Sequence, residues 1–70
     1  MQKVKWFRDL VGHYIVVHCQ TNDGNDFTVE GILRRVGEDF FELQAGNVRR
    51  IVTNVIILQV ADYGEVGKDG

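Results

Sequence analysis

The sequence predicts an all-β domain in which five short strands form a small, strongly bent barrel behind one short N-terminal helix. Five β-prone runs, rich in Val, Ile, Thr and aromatic residues, follow one another and are bounded by turn-forming residues. Gly31 lies inside the longest run, where a glycine typically marks a sharp bend or a close backbone approach. Residues 36–39 form a turn that joins this run to the next as a hairpin. Together these observations predict a small closed barrel with a corner at Gly31.

The predicted strands cover most of the chain between the helix and residue 60. They span residues 14–20, 27–36, 40–45, 48–52 and 55–60. In the first strand, Ile15, Val17 and Cys19 share one face, because side chains alternate along a strand. Only Thr53 and Asn54 separate the last two runs, so the fifth strand must leave in a new direction.

Residues 2–11 are predicted to form the N-terminal helix. Its apolar residues recur at helical spacing and are Val4, Phe7, Leu10 and Val11. Gly12 follows as a stop signal. A helix this short is marginal alone in water, so its apolar stripe should dock over an open end of the sheet. Trp6 lies beside the stripe, as either a rim packing residue or an exposed contact aromatic.

The small size of the domain predicts association. A core formed by 70 residues supplies a stability of only a few kcal/mol, so such domains usually need help from disulfides, a metal or other subunits. The single cysteine, Cys19, excludes an internal disulfide and a closed cysteine-rich zinc cluster. We therefore expect the chain to form a homo-oligomer.

The formal charge of −2 comes from the end of the chain. Up to Val60, seven Lys/Arg and seven Asp/Glu cancel. Residues 61–70 add three acidic residues against Lys68 and hold three glycines, so we predict a flexible acidic tail after a barrel domain of residues 1–60. A neutral body has no surplus of cations for nucleic-acid phosphates unless the fold clusters its arginines.

The sequence shows no signal for a membrane or for secretion. No apolar run approaches the length needed to cross a bilayer, and the first six residues lack the apolar stretch of a secretion signal. We therefore expect a cytoplasmic protein that makes no membrane contact.

The residues that carry chemistry do not form a catalytic or metal-binding pattern. His18 and Cys19 are adjacent on a strand, so their side chains point to opposite faces and cannot act as a base and nucleophile pair. His13 and His18 also face apart, which disfavours a metal site within one chain. Asp23 and Asp26 lack the ligand count of a calcium loop. We predict no catalytic residue, no metal and no cofactor, and hence a protein that is not an enzyme.

Two arginine pairs allow two interpretations. Repeated around an oligomer, Arg34, Arg35, Arg49 and Arg50 would form a cationic collar if the hairpin brings them to one rim, and arginine binds phosphate oxygens in a bidentate manner. In the alternative, these arginines pair with nearby carboxylates as ion pairs or subunit contacts. The carboxylates available for this are Glu30, Glu38, Asp39 and Glu42.

The order of the predicted elements and one motif resemble the Sm-like family, which includes the Sm and Sm-like proteins and the bacterial RNA chaperone Hfq. The phrase Gly31-x-Leu33-x-x-Val36, followed by Phe40 and Leu43, is similar to the first family motif, and residues 51–58 stand where the second would be. The same motif is similar to small bacterial barrel domains of unassigned role. The resemblance implies an SH3-like barrel and rings of six or seven subunits, closed by pairing the fourth strand of one subunit with the fifth of the next.

The chain departs from the family at the positions that read RNA bases. Members that bind uridine-rich RNA carry an Asp and an Asn in the hairpin and often an Arg-Gly pair in the last short turn, whereas this chain has Gly37, Phe41 and Val52-Thr53 there. The tyrosine-lysine-histidine signature of the chaperone branch is also missing. The family's base specificity is therefore not implied.

The functional prediction is an oligomeric module that binds single-stranded RNA or nucleic-acid phosphates with low base specificity. The alternative is a protein-interaction or assembly module without a nucleic-acid role. The residues expected to bind the nucleic acid are Arg34, Arg35, Arg49, Arg50, Thr53 and Asn54, and those expected to offer stacking faces are Phe41, Tyr14 and Trp6.

Overall fold

A computed structural model describes residues 6–66, with only the backbone of Trp6 included. The elements are a 3₁₀ helix at Trp6–Leu10, β1 at His13–Thr21, β2 at Asp26–Val36, β3 at Phe40–Ala45, β4 at Val48–Thr53 and β5 at Val55–Glu65. The strands form one antiparallel sheet in the order β4-β3-β2-β1-β5. The prediction of a small all-β fold with five strands is confirmed.

The sheet bends within β2, next to Gly31. The first part of β2 pairs with β1 and the last part pairs with β3, and Ile32 lies opposite residues of both strands. Gly31 has a φ of +152°, and a Cβ atom there would lie 2.8 Å from the carbonyl oxygen of Gln44. An L-residue rarely adopts this φ, and the gap leaves no room for a side chain. The predicted bend therefore depends on the absence of a side chain at position 31.

The core lies on one face of the bent sheet and beneath the 3₁₀ helix. Its buried apolar side chains are Phe7, Ile15, Val17, Cys19, Val29, Leu33, Phe41, Leu43 and Val52. In β1 every second residue enters this core, as the alternation of apolar residues predicts. The other face of β1 is only half-buried.

The described part of the predicted N-terminal helix is of a different type. The described part is a 3₁₀ helix, and the predicted helical residues 2–5 lie outside the described residues. Phe7 is fully buried and Leu10 packs against the core, but Val11 is exposed. The chain turns at Gly12, where φ is +96° and the amide donates to the carbonyl oxygen of Leu33. The described helical segment therefore ends where the chain attaches to β2.

The prediction of a closed barrel is wrong for the single chain. β4 and β5 lie at opposite ends of the strand order, and no described ladder joins them. Asn54, with a φ of +60°, turns the chain away from β4, so that β5 pairs with β1 instead. The predicted change of direction after Thr53 is thus confirmed, and it leaves one free edge on each of the two strands.

The predicted boundary between barrel and tail is also wrong. β5 continues to Glu65 rather than ending at Val60, and its last residue lies opposite His13. The amide of Val66 then donates to the carbonyl oxygen of Gly12, which ties the end of β5 to the start of β1. Tail residues 67–70 lie outside the described residues. Within residues 6–66, no helix has the length and apolar character needed to span a membrane.

Candidate functional site

The two free edges of the sheet carry exposed apolar side chains. Val48 and Ile51 on β4 are about as exposed as surface polar residues, with Ile51 at 58%. Ile56 and Leu58 on β5 are also exposed. An edge strand presents unpaired backbone donors and acceptors, and natural proteins usually protect it with charge, proline or a covering segment. Exposed apolar residues along both edges are therefore unusual for strands that remain unpaired.

The charges on the two edge strands have opposite signs. β4 carries Arg49 and Arg50 and no carboxylate, whereas β5 carries Asp62 and Glu65 and no cationic residue. Opposite charges on facing strands stabilise a pair, and like charges directly opposite each other destabilise it. Pairing of β4 with β5 is thus favoured over pairing of either strand with itself.

A buried carboxylate holds two of the predicted site arginines. The Nε of Arg35 donates to Oε1 of Glu42 over 2.9 Å, and Nη1 of Arg49 lies 3.2 Å from the other carboxylate oxygen. The Glu42 side chain is only 5% exposed, while both arginines are mainly exposed. Arg35 also lies over the Phe40 ring. Two guanidinium groups balance the charge of a carboxylate that would otherwise be costly to bury.

The four arginines do not form one cationic rim. Arg50 lies opposite the buried Leu43 and therefore on the core-facing side of β4, whereas Arg49 lies opposite Gln44 on the outer side. Arg34 is exposed, and within residues 6–66 neither it nor Arg50 has a carboxylate partner. The ion-pair interpretation is confirmed for the arginines bound to Glu42, whereas a collar around an oligomer stays a prediction.

Three predicted site residues line one groove. Arg50, Thr53 and Asn54 border a groove of about 540 Å³ between β4 and the turn that joins β1 to β2, with Phe27 also in the lining. The Thr53 hydroxyl donates to the carbonyl oxygen of Asp39 over 3.0 Å. The groove thus combines the Arg50 guanidinium and the Asp23 carboxylate with amide and hydroxyl groups on a partly apolar wall.

A smaller cleft beside this groove is more acidic. It measures about 230 Å³ and is lined by Glu38, Asp39 and Phe40 from the β2–β3 turn and by Asn54 and Ile56 at the start of β5, among others. No cationic residue among residues 6–66 lines it. A phosphate group would be repelled here.

The predicted stacking residues lie in different environments. Phe41 is 3% exposed and packs edge-on against Phe7 at 5.1 Å, so its prediction as a stacking residue is wrong. Its position opposite the buried Val52 places it in the core rather than on the surface. Tyr14 is half-buried, and its hydroxyl donates to Glu30 over 2.8 Å. The side chain of Trp6 lies outside the part of the chain that the structure describes.

Sequence reasoning missed an exposed aromatic residue, Tyr63. Its side chain is 70% exposed and its ring meets the ring of Tyr14 edge-on at 6.2 Å. The hydrogen bond to the Glu30 carboxylate raises the pKa of the Tyr14 phenol and places a carboxylate beside this aromatic pair. Assignment of residues 61–70 to a tail concealed Tyr63. The available signal was weak, because Tyr63 is the only residue with a strong β preference among residues 61–65.

Each histidine contacts a carboxylate on a neighbouring strand. Nδ1 of His13 lies 2.9 Å from Oδ1 of Asp62 on β5, and Nε2 of His18 lies 3.3 Å from Asp26 on β2. The bond from His13, followed by the amide of Gly64, lowers the pKa of Asp62. No cluster of three potential metal ligands occurs within residues 6–66.

The cysteine lies in an environment that does not favour reactivity. Cys19 is fully buried among apolar residues, and desolvation raises the pKa of its thiol to about 11. Because the thiolate is the nucleophilic form, the thiol is unreactive near neutral pH.

Comparison with protein-family models, curated proteins and solved structures finds no match to this chain. The Sm-like resemblance therefore stays a prediction. The functional interpretation rests on the geometry of the edges, the arginines and the groove.

Proposed function

We propose that this protein is an assembly module whose subunits join by pairing β4 of one subunit with β5 of the next. The observation that carries this proposal is the pair of free, apolar edges with opposite charge on one small sheet. Head-to-tail pairing covers both edges of every subunit at once, which a two-fold dimer through a single edge cannot do. The resemblance to the Sm-like family implies the same pairing and rings of six or seven subunits.

The assembly also accounts for the size of the domain. Each joint continues the sheet across two subunits and buries side chains that a single chain leaves exposed, such as Val48 and Ile51. Burial of a large aliphatic side chain contributes about 1.5–3 kcal/mol. A domain with a small core gains a large fraction of its stability in this way.

Lysine at two positions of the β4 edge should disrupt the assembly. We expect the double variant Val48→Lys and Ile51→Lys to shift the solution mass from a multiple of 8.0 kDa to the single subunit, as either a folded or an unfolded monomer. Lysine on an edge strand opposes strand pairing, and the substitutions remove apolar contact. Sedimentation equilibrium at micromolar concentration measures the mass.

The matched control for the edge variants is Val11→Lys. Val11 is a similarly exposed aliphatic residue, but it lies outside both edge strands. This variant should keep the mass of the unmodified protein. A well-folded unmodified protein that sediments as a single subunit would contradict the assembly proposal.

Binding of single-stranded RNA is a second candidate function, favoured by the groove that Arg50, Thr53 and Asn54 line. Arg50 is exposed and has no carboxylate partner within residues 6–66, so its guanidinium is available to a phosphate. The amide and hydroxyl groups would contact the backbone or bases, and the absence of an organised base-reading set would give low base specificity.

A gel shift with oligo-uridine and oligo-adenine at two salt concentrations tests this second function. We expect both oligonucleotides to be retarded at low salt, with affinity falling steeply as salt rises because phosphate contacts release counterions. Arg50→Ala should weaken both complexes, whereas Arg8→Ala, which removes an exposed cation far along the chain, should not. No retardation at low salt would contradict RNA binding, and the remaining functions would be self-assembly or binding of a protein partner.

A further inference from the structure

We infer that the subunits join in one antiparallel register, in which Arg49 lies opposite the partner subunit's Tyr63 and rests on its aromatic ring. This inference rests on the proposed assembly and specifies its contact. Two observations lead to it: which residues of β4 and β5 face the core, and which residues each possible register would place opposite each other.

The outer and core-facing sides of β4 are defined by its pairing with β3. Val52 is buried and lies opposite the buried Phe41, so the even-numbered residues of β4 face the core. Ile51 and Arg49 alternate with them and face outward, and both are exposed.

The sides of β5 are defined by its pairing with β1. Val60 lies opposite the buried Val17 and packs against the core, whereas Ala61 lies opposite Val16 on the outer side. Tyr63 contacts Tyr14 on that same outer side. In this part of β5, as in β4, the even-numbered residues face the core.

A continuous sheet across the joint must keep core-facing residues together. A slip of one residue would turn the apolar side of β4 outward, so only registers that differ by two residues are allowed. An antiparallel arrangement brings the arginine end of β4 to the acidic end of β5, while a parallel arrangement separates these charges. The sequence positions of the charges therefore favour the antiparallel arrangement.

One of the allowed antiparallel registers gives four complementary pairs in succession, and it also places Thr53 opposite Gln59 of the partner subunit and Val48 opposite Gly64 of the partner subunit. The four complementary pairs are Val52 with Val60 of the partner subunit, Ile51 with Ala61 of the partner subunit, Arg50 with Asp62 of the partner subunit, and Arg49 with Tyr63 of the partner subunit. Each of these four pairs is apolar with apolar, cation with anion, or cation with aromatic ring. A slip of two residues in one direction places Val52 against a carboxylate, and a slip in the other direction places Arg50 against Val60 of the partner subunit.

Both groups of the proposed contact between Arg49 and Tyr63 are already positioned in the single subunit. Arg49 is bound through Nη1 to Glu42, which orients the guanidinium on the outer face and leaves its side chain mainly exposed. Tyr63 presents an exposed ring, and the Glu30 carboxylate near its neighbour Tyr14 adds negative charge to that face. A planar guanidinium stacks on an aromatic ring with a gain that increases as the contact loses water.

Cysteine cross-linking tests the register. Ile51→Cys is mixed with a second variant, Ala61→Cys, each of which also retains the native Cys19. The two are refolded together, and the mixture is oxidised. Directly opposite residues on antiparallel strands have the Cα separation that a disulfide requires, and residues two positions away do not. We expect a covalent dimer on a non-reducing gel for this mixture and little for mixtures of Ile51→Cys with Gln59→Cys or Tyr63→Cys. The native Cys19 is buried in the folded subunit, and the unmodified protein treated in the same way measures any cross-link through it.

The outcomes separate the register from the assembly itself. A dominant cross-link to position 59 or 63, in a protein whose mass is still that of an oligomer, would overturn the register and leave the assembly intact. No cross-link at any position, together with the mass of a single subunit, would overturn both.

A second measurement tests the aromatic contact. Tyr63→Ala should raise the dissociation constant of the subunits about tenfold, in the range for a cation over a partly buried ring. Tyr63→Phe keeps the ring and should change the constant by less than about twofold. Equal behaviour of the two variants would show that the ring does not receive Arg49.

Discussion

Replacing Gly31 with alanine should lower the free energy of unfolding by at least about 3 kcal/mol. Two costs add at this position. The φ of +152° is unfavourable for any residue with a side chain, and the new Cβ would lie 2.8 Å from the carbonyl oxygen of Gln44. That oxygen belongs to the backbone of β3, so it cannot rotate away, and the bend in β2 would have to open. Urea unfolding at a fixed subunit concentration measures the loss, because assembly makes stability depend on concentration.

The control that isolates the close approach is Gly24→Ala. Gly24 also has a positive φ, +89°, but a Cβ atom there would have no neighbour within 4 Å. Its substitution carries only the conformational cost, about 1 kcal/mol. Similar small losses at both positions would mean that β2 and β3 are not in close contact at the bend.

The position of the bend could be predicted because its signal is local. A glycine within an otherwise β-prone run is unfavourable unless the backbone needs it, and Gly31 is the one glycine inside the predicted strands. The alternation that buries Ile15, Val17 and Cys19 is local in the same sense. The strand boundaries up to Thr53 are marked by adjacent turn residues. In the structure these boundaries lie within a residue or two of the predicted positions.

The partners of the arginines could not be predicted because they depend on strand pairing. Whether Arg50 shares a side with Arg49 follows from alternation alone, but which carboxylate reaches them depends on the register between β3 and β4. A glutamate within a strand is typical of a surface position, yet Glu42 is buried and bound to two guanidinium groups. Phe41 was misplaced for the same reason, since its face is fixed by the bend in β2 and the irregular pairing with β3.

The end of β5 was missed because the residues after Val60 do not have the composition of a strand. Glycine and acidic residues after Val60 are typical of a tail, yet pairing with β1 holds this segment in the sheet to Glu65. The contact between His13 and Asp62 contributes to this, as does the positive φ of Gly64, +100°, which fits the irregular pairing there. The consequence for function is large, because this segment carries the acidic and aromatic residues of the free edge.

Phe7→Ala should be the most destabilising substitution outside the bend, with a loss of about 3–5 kcal/mol in the free energy of unfolding. Phe7 is fully buried, and its ring packs edge-on against Phe41. The 3₁₀ helix is too short to be stable by itself, so this side chain is its main attachment to the sheet. Removing the ring leaves a cavity above the core that the short helix cannot fill. Urea unfolding monitored by circular dichroism, again at one subunit concentration, provides the measurement.

Two further variants determine whether the loss comes from this ring contact. Val11→Ala changes an exposed residue of the same segment and should cost less than about 0.5 kcal/mol. A double-mutant cycle of Phe7→Leu and Phe41→Leu, which keeps most of the buried volume, should show a coupling of about 0.5–1.5 kcal/mol from the edge-on geometry. A loss at Phe7 no larger than that at Val11 would mean that the N-terminal segment is not part of the folded core. The position of the 3₁₀ helix over the sheet would then be wrong.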